Sequence, residues 1–286
     1  MSYPTLRLHP RKEESVLRFH PWIFSGAIAS FSAPVEDGDL VSVVDSKGRP
    51  LGTGHFGGGS IAVRLLSFDA EEVIDRAFYK RRLEAALRLR LSCDLVRPVG
   101  SSDSPNTTYR LVHGEGDSLP GLIIDIYDRT AVVQAHSLGM HQARQTIAEV
   151  LWEVFAEAGD PVLPLEGIYY KSETTLPTRD MRELASDGFL IGHTEAAPIY
   201  ENGVRFTPDW LKGQKTGFFI DQRDNRTLVA HYAKGRTVLN AFCYTGGFSI
   251  YALHAGAKRV DSLDSSAKAM YLTEQHVALN FGADCP

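Results

Sequence analysis

Cysteine is scarce in this sequence. Its three copies, Cys93, Cys243 and Cys285, are odd in number and far apart. That spacing excludes a disulfide framework and predicts a reducing, cytoplasmic setting. No Cys-x-x-Cys or His-x-x-x-His pair occurs, so no metal is expected. Long apolar runs are missing too. None reaches the ~18 residues a membrane helix needs, and Met1–Arg7 lacks the apolar core of a signal peptide, so no membrane partner is expected. Basic charge is in deficit, with a net charge of −5 over 286 residues, whereas phosphate binders usually carry a basic surplus. Also absent are Gly-x-Gly-x-x-Gly, which seats a pyrophosphate, and a Gly-Lys-Ser/Thr ending, which places a lysine on phosphate. The glycine-rich run Gly52–Ser60 lacks that ending and reads as a strand connection.

What is there suggests three parts, over residues 1–72, 73–191 and 192–286. The first is β-rich, with strand composition at Leu40–Val44 and Ser60–Leu66 and turn signals at Asp37–Asp39 and Ser46–Gly48. A helix is predicted over Asp75–Ser92, where Tyr79, Leu83, Ala86, Leu87 and Leu91 form one apolar stripe. Between Arg76 and Arg97 seven basic residues stand against two acidic ones, Glu84 and Asp94, a local surplus of five. A solvated helix face explains such a stripe, and localised RNA contact is the other reading. Val99–Asn106 reads as a loop. Strands over Leu122–Tyr127 and Thr130–Ala135, a helix over His141–Ala158 ending at Gly159, and a strand over Gly167–Lys171 make a small α/β middle part. Ile199–Phe206, with Asn202-Gly203 at its centre, predicts a hairpin with a type I′ turn.

The third part carries the chemistry. Thr237–Phe242 has buried-strand character, Tyr244–Gly247 is a tight turn, and Phe248–His254 is a short helix. Arg259–Asp264 is a second strand with a carboxylate at its end, and Ser265-Ser266 can cap a helix running to about Asn280. In such strand–turn–helix–strand units a ligand sits at the carboxyl ends of the strands. The paired glycines, Gly246 and Gly247, would let backbone approach an adenosine-type ligand. Asp264 lies 24 residues past Asn240 and can accept hydrogen bonds from both hydroxyls of a ribose. That spacing is near the ~20 residues of the dinucleotide fingerprint, but the pyrophosphate pattern is missing. A ligand with ribose and no phosphate, such as S-adenosyl-L-methionine, fits better. The plain alternative is an ordinary α/β unit with Asp264 as a helix cap. Upstream, Asp221 can cap a helix running to about Lys234, with Leu228, Val229 and Tyr232 as its buried face. Donors at that helix start, Gln222 and Arg223 among them, can hold a carboxylate such as the methionine end of that cofactor.

Lys215–Arg226 (KTGFFIDQRDNR), Val238–Ser249 (VLNAFCYTGGFS) and Leu263–Ser266 (LDSS) together resemble the bacterial class I 23S rRNA methyltransferases that carry an N-terminal PUA domain. Arg18–Ala27 (RFHPWIFSGA) is similar to the opening of that PUA domain, and His113–Leu122 (HGEGDSLPGL) to the family's middle domain. The resemblance covers the whole chain. It implies a multidomain α/β protein: a β-rich PUA-like domain, a small α/β middle domain and a partial Rossmann-like class I methyltransferase domain. It implies methylation of a base in large-subunit rRNA, cytosine C5 first. A guanine methyltransferase of the same fold, or a non-catalytic PUA-type RNA-binding protein with a vestigial cofactor fold, is the alternative. The implied cofactor is S-adenosyl-L-methionine, bound by Phe219, Asp221, Gln222, Arg223, Asn240, Phe242, Tyr244, Thr245, Gly246, Gly247, Phe248, Asp264 and Ser265. The implied RNA contacts are Arg11, Lys12, Arg18, Arg81 and Arg82, and a homodimer is a further expectation.

The chain departs from the family at its end, Asp284-Cys285-Pro286. The family's Asp-Pro-Pro and catalytic-cysteine segments have no counterpart before it, so the expectation is a C-terminally truncated chain. Attack at C5 of cytosine needs a thiolate added at C6 and a base. Neither Cys243 nor Cys285 is nominated, no catalytic residue is expected in this chain, and the 286 residues alone are expected to be inactive.

Overall fold

A computed structural model describes residues 3–101, 103–177 and 186–282. Two compact units emerge, one built from Met1–Cys93 with Arg110–Thr194, the other from Asp94–Tyr109 with Glu195–Pro286.

The first unit opens with β1 (Thr5–Leu8), α1 (Glu14–Leu17), β2 (Trp22–Phe24), β3 (Ile28–Phe31), β4 (Leu40–Val44), β5 (Pro50–Phe56) and β6 (Ile61–Ser67). These strands form one sheet in the order β2-β6-β5-β4-β1-β3. Its core is Leu6, Leu8, Ile23, Val41, Val43, Val63 and Leu65. Alternation explains the membership: Val41 and Val43 are buried while Leu40, Ser42 and Val44 are only partly so. The run that reads as a connection is half strand, because Gly52–Phe56 belongs to β5. Gly54 is required there, since a Cβ would sit 2.2 Å from the Arg64 carbonyl of β6.

α2 (Arg76–Ser92) follows, with Asp75 as N-cap accepting the Phe78 N–H at 2.9 Å. It buries Phe78, Tyr79, Leu83, Ala86, Leu87 and Arg90. Its basic surplus is largely paired in space. Arg76 and Lys80 meet Glu153, Lys80 also meets Glu157, Arg81 and Arg82 meet Glu72, and Arg90 grips Asp117. Then come β7 (Thr108–His113), β8 (Leu122–Tyr127), β9 (Thr130–Ala135), α3 (Leu138–Gln142), α4 (Arg144–Ala158), β10 (Gly167–Tyr170) and β11 (Gly188–Gly192). The middle sheet runs β11-β10-β9-β8-β7, so it has two edge strands, β7 and β11, beyond the three expected.

The second unit holds β12 (Ile199–Glu201), β13 (Val204–Phe206), α5 (Arg223–Ala233), β14 (Thr237–Ala241), α6 (Gly247–His254), β15 (Arg259–Leu263) and α7 (Ala267–Phe281). The hairpin forms as expected. Asn202 and Gly203 both have positive φ, 49° and 83°, as a type I′ turn demands. β14 and β15 pair in parallel with Asn240 opposite Ser262. Ser266, rather than Asp264, caps α7 by accepting the Ala269 N–H at 3.2 Å.

Candidate cofactor site

The carboxyl ends of β14 and β15 frame a loop with an unusual backbone. Phe242, Tyr244 and Gly246 all take positive φ, 59°, 50° and 74°. For the two aromatic residues that conformation is costly and needs external support. Asp264 supplies part of it by accepting the Tyr244 N–H at 2.9 Å and, on its other oxygen, the Ser266 N–H at 2.9 Å. Hydrogen bonds from the Ser266 and Tyr244 N–H groups hold its carboxyl below the usual carboxylate range. From α7, Thr273 donates to the Tyr244 carbonyl at 3.1 Å, and His276 Nδ1 lies 2.8 Å from the Thr245 carbonyl. Each Asp264 oxygen keeps a further lone pair, which is what two ribose hydroxyls would need.

Gly246 and Gly247 have a packing reason. A Cβ on Gly246 would lie 2.5 Å from Thr273 Cγ2, and one on Gly247 would lie 3.2 Å from Arg226 Cδ. These glycines admit neighbouring side chains, so close backbone approach by a ligand is not needed to explain them. Asn240 is also committed inside the fold. Its Nδ2 donates to Ser249 Oγ of α6 at 2.8 Å, and Ser249 shares a second bond with Ser262 at 2.8 Å. Phe242 is 92% exposed at the loop tip, and Phe248 is half-buried in the first turn of α6.

The segment before α5 approaches the same loop. The Phe219 ring stands edge-on to Tyr244 with centroids 5.2 Å apart, and Lys215 Nζ lies 4.4 Å over the Phe219 ring. Tyr244 Oη accepts the Gln214 N–H at 3.3 Å. Asp221 lies 4.0 Å from Lys215 Nζ. Asp221 does not cap the helix: it sits in a 3-10 turn over Ile220–Gln222, and the N-cap position falls to Gln222 with no side-chain bond. Gln222 bonds Asp221 and Asn225 through its amide. Arg223 faces inward, 3.7 Å from Glu201 and 3.4 Å from the Thr108 carbonyl.

The buried face of α5 also differs from the expected one. Leu228 and Tyr232 are 56% and 63% exposed, while Arg226 and Ala233 are buried. The cause is a carboxylate that sequence reading passes over. Glu201, fully buried in β12, takes both Nε and Nη2 of Arg226 at 2.7 Å. Arg226 also donates to the Phe219 carbonyl at 3.0 Å and stacks 4.7 Å over the Phe218 ring, and Tyr251 donates to the Glu201 carbonyl at 3.1 Å. A signal for Glu201 exists, since period-two alternation puts it on the same face as Ile199. His276 and Thr273 carry no such signal.

Cys243 is buried, its thiol pushed up by burial, a poor setting for a nucleophile. Cys285 lies outside the described residues. Of the residues tied to RNA, Arg11, Lys12 and Arg18 are exposed beside exposed Leu17 and Phe19, and Arg18 pairs with exposed Glu14. Arg81 and Arg82 share Glu72. Among the described residues no group of three or more His, Cys, Asp or Glu could hold a metal, and no helix is long and apolar enough to cross a membrane.

Residues 6–68 match the PUA-like domain family, and residues 178–283 match the S-adenosylmethionine-dependent methyltransferase family. By these matches the chain combines a PUA-like domain with an S-adenosylmethionine-dependent methyltransferase domain. It is 39% identical over 278 residues to ribosomal RNA large subunit methyltransferase I of Shewanella amazonensis, and 40% identical over 280 residues to that of Shewanella denitrificans. Each match covers 96% of this chain and 66% of the relative, so the chain spans just under two thirds of those proteins' length. A solved structure, a candidate S-adenosylmethionine-dependent methyltransferase of Streptococcus mutans, superposes with a TM-score of 0.78 at 23% identity, covering 98% of this chain and 68% of that one. At that identity the likeness is one of fold.

Proposed function

We propose that this chain is the RNA-binding and cofactor-binding portion of an enzyme that methylates a base in large-subunit rRNA, cytosine C5 first. The observation that carries the reading is the loop of Phe242–Gly246, clamped by Asp264 at the carboxyl ends of two parallel strands. Asp264 would hold the ribose of S-adenosyl-L-methionine, and Phe219, Tyr244 and exposed Phe242 offer flat apolar surface for its adenine. Ser265 and Thr245 border that place. Arg223 and Asn240, bound to Glu201 and Ser249, serve the frame around it. The cofactor supplies an electrophilic methyl group, and the protein's part is to hold and orient it. Arg11, Lys12 and Arg18, with Leu17 and Phe19, form an exposed basic and apolar surface suited to phosphate contact and base stacking. The domain division into 1–72, 73–191 and 192–286 belongs to the same reading, as do a homodimer and a cytoplasmic location.

Deleting the gene and mapping 23S rRNA by nucleoside mass spectrometry tests the reading. Loss of one 5-methylcytidine is the expected result. Loss of a methylguanine would move the target to guanine. Unchanged methylation with retained rRNA binding would favour the non-catalytic RNA-binding alternative.

A further inference from the structure

A cavity of about 340 Å³ opens in the first unit beside the glycine-rich turn between β5 and β6, lined by His55, Gly57, Ser60, Arg64 and Ser137. Among the described residues, two of its polar groups lack a partner. His55 is only 5% exposed, and its Nδ1 is buried with no hydrogen bond. The ring's place is built in, because a Cβ on Gly139 of α3 would lie 2.2 Å from His55 Cγ, so only glycine leaves room for it. Arg64 is partly buried, and its guanidinium makes no hydrogen bond or ion pair among the described residues. The carboxylate that influences it electrostatically, Glu115, is bonded to Trp22 Nε1 at 2.7 Å. Asp37, also at the cavity, is engaged by the Gly58 N–H at 2.6 Å.

A partly buried guanidinium without a counter-ion is unfavourable unless a ligand provides one. Its planar fork matches an oxyanion in two-point geometry. Burial and the nearby Arg64 cation push His55 down to about 4, so its ring is neutral near pH 7. The ring lies with its face on Gly139, and in its neutral form it carries one N–H to donate. We propose that this cavity takes a phosphate group, held by Arg64 and His55, as a backbone phosphodiester of the RNA substrate or as part of a small phosphorylated ligand. Only the assignment to RNA rests on the function proposed above; the phosphate chemistry does not.

Titration of the full chain with inorganic phosphate, and in parallel with a 23S rRNA fragment, tests this. Saturable phosphate binding is expected, weakened about tenfold or more in Arg64→Gln, the scale of a lost charged hydrogen bond. Ser60→Glu, at an exposed position, should block phosphate binding by placing a carboxylate at the cavity. If Arg64→Gln also weakens the rRNA fragment and lowers its salt slope by about one, the phosphate belongs to RNA. If phosphate binding falls while rRNA affinity holds, or if the chain binds no rRNA at all, the cavity serves a small phosphorylated ligand. The absence of saturable phosphate binding by the unaltered chain, or equal binding by Arg64→Gln and Ser60→Glu, would overturn the proposal.

Discussion

Asp264 holds the Tyr244 N–H at 2.9 Å and thereby joins the end of β15 to the strained loop that leaves β14. The carboxylate has a structural task before any ligand arrives, and in the proposed reading its remaining lone pairs would take the ribose. Asp264→Ala removes both. S-adenosylhomocysteine affinity, measured by calorimetry, should fall about tenfold or more. Unchanged affinity in a folded variant would take Asp264 out of the site.

The buried pair of Glu201 and Arg226 should be costly to break from one side. Arg226→Met strips a fully buried carboxylate of its two-point partner and leaves only Arg223 at 3.7 Å, and the expected loss is about 3 kcal/mol of stability. Urea unfolding monitored through Trp210, buried in the same unit, reads it. The double change Glu201→Leu with Arg226→Met should lose less than Arg226→Met alone.

Gly246→Ala should destabilise the second unit by about 1–3 kcal/mol, through the clash with Thr273 and the positive φ. Thr273→Ala should recover part of that loss, because it removes the atoms struck but not the backbone strain. A double-mutant cycle showing strict additivity would mean that the two residues do not meet.

Acid should weaken the fold through two histidines. His276 lies with Nδ1 on the Thr245 carbonyl and receives the Thr207 N–H on Nε2 at 3.0 Å, an arrangement only the neutral ring can satisfy. Burial lowers its pKa, and burial together with Arg64 lowers that of His55 to about 4. Both folded values lie below the unfolded one, so the unfolded chain binds more protons as pH falls. Stability is therefore full above about pH 6.5 and declines towards about pH 4, with His55 alone worth up to about 3 kcal/mol. Thermal melts across that window check it; a flat profile would contradict the burial of both rings.

Changing Arg11, Lys12 and Arg18 together to Gln should weaken rRNA binding and flatten its salt dependence, by about one in slope for each phosphate that is no longer neutralised. Filter binding at several salt concentrations measures both quantities. An unaltered slope would place the RNA elsewhere on the surface.

Much of this is legible in the sequence. The hairpin turn at Asn202-Gly203 and the helix over Asp75–Ser92 rest on local rules that tertiary packing does not override, whereas the strand expected to be buried at Thr237–Phe242 forms as β14 with Leu239 69% exposed. Legibility fails where a long-range partner decides the outcome. α5 shows Leu228 and Tyr232 to solvent because Glu201, far away in sequence, draws Arg226 inward. Asn240 has the position of a ligand residue in the sequence, yet Ser249 holds it inside the fold. The surplus of charge along α2 is spent on Glu72, Glu153, Glu157 and Asp117, whose proximity no linear count can show.

Residues 94–109 pack with residues 195–286. Arg97 donates to Asn202 Oδ1 at 2.8 Å, and the Thr107 N–H reaches the Tyr200 carbonyl at 2.9 Å. The second unit is thus assembled from two stretches separated by residues 110–194. During synthesis the earlier stretch leaves the ribosome and must wait, unpaired, until the later one emerges, while the first unit can complete itself in the interval. Nascent chains arrested once residue 194 has cleared the ribosomal tunnel should show a folded first unit with 94–109 still open to protease, and protection there should appear only once the hairpin has emerged.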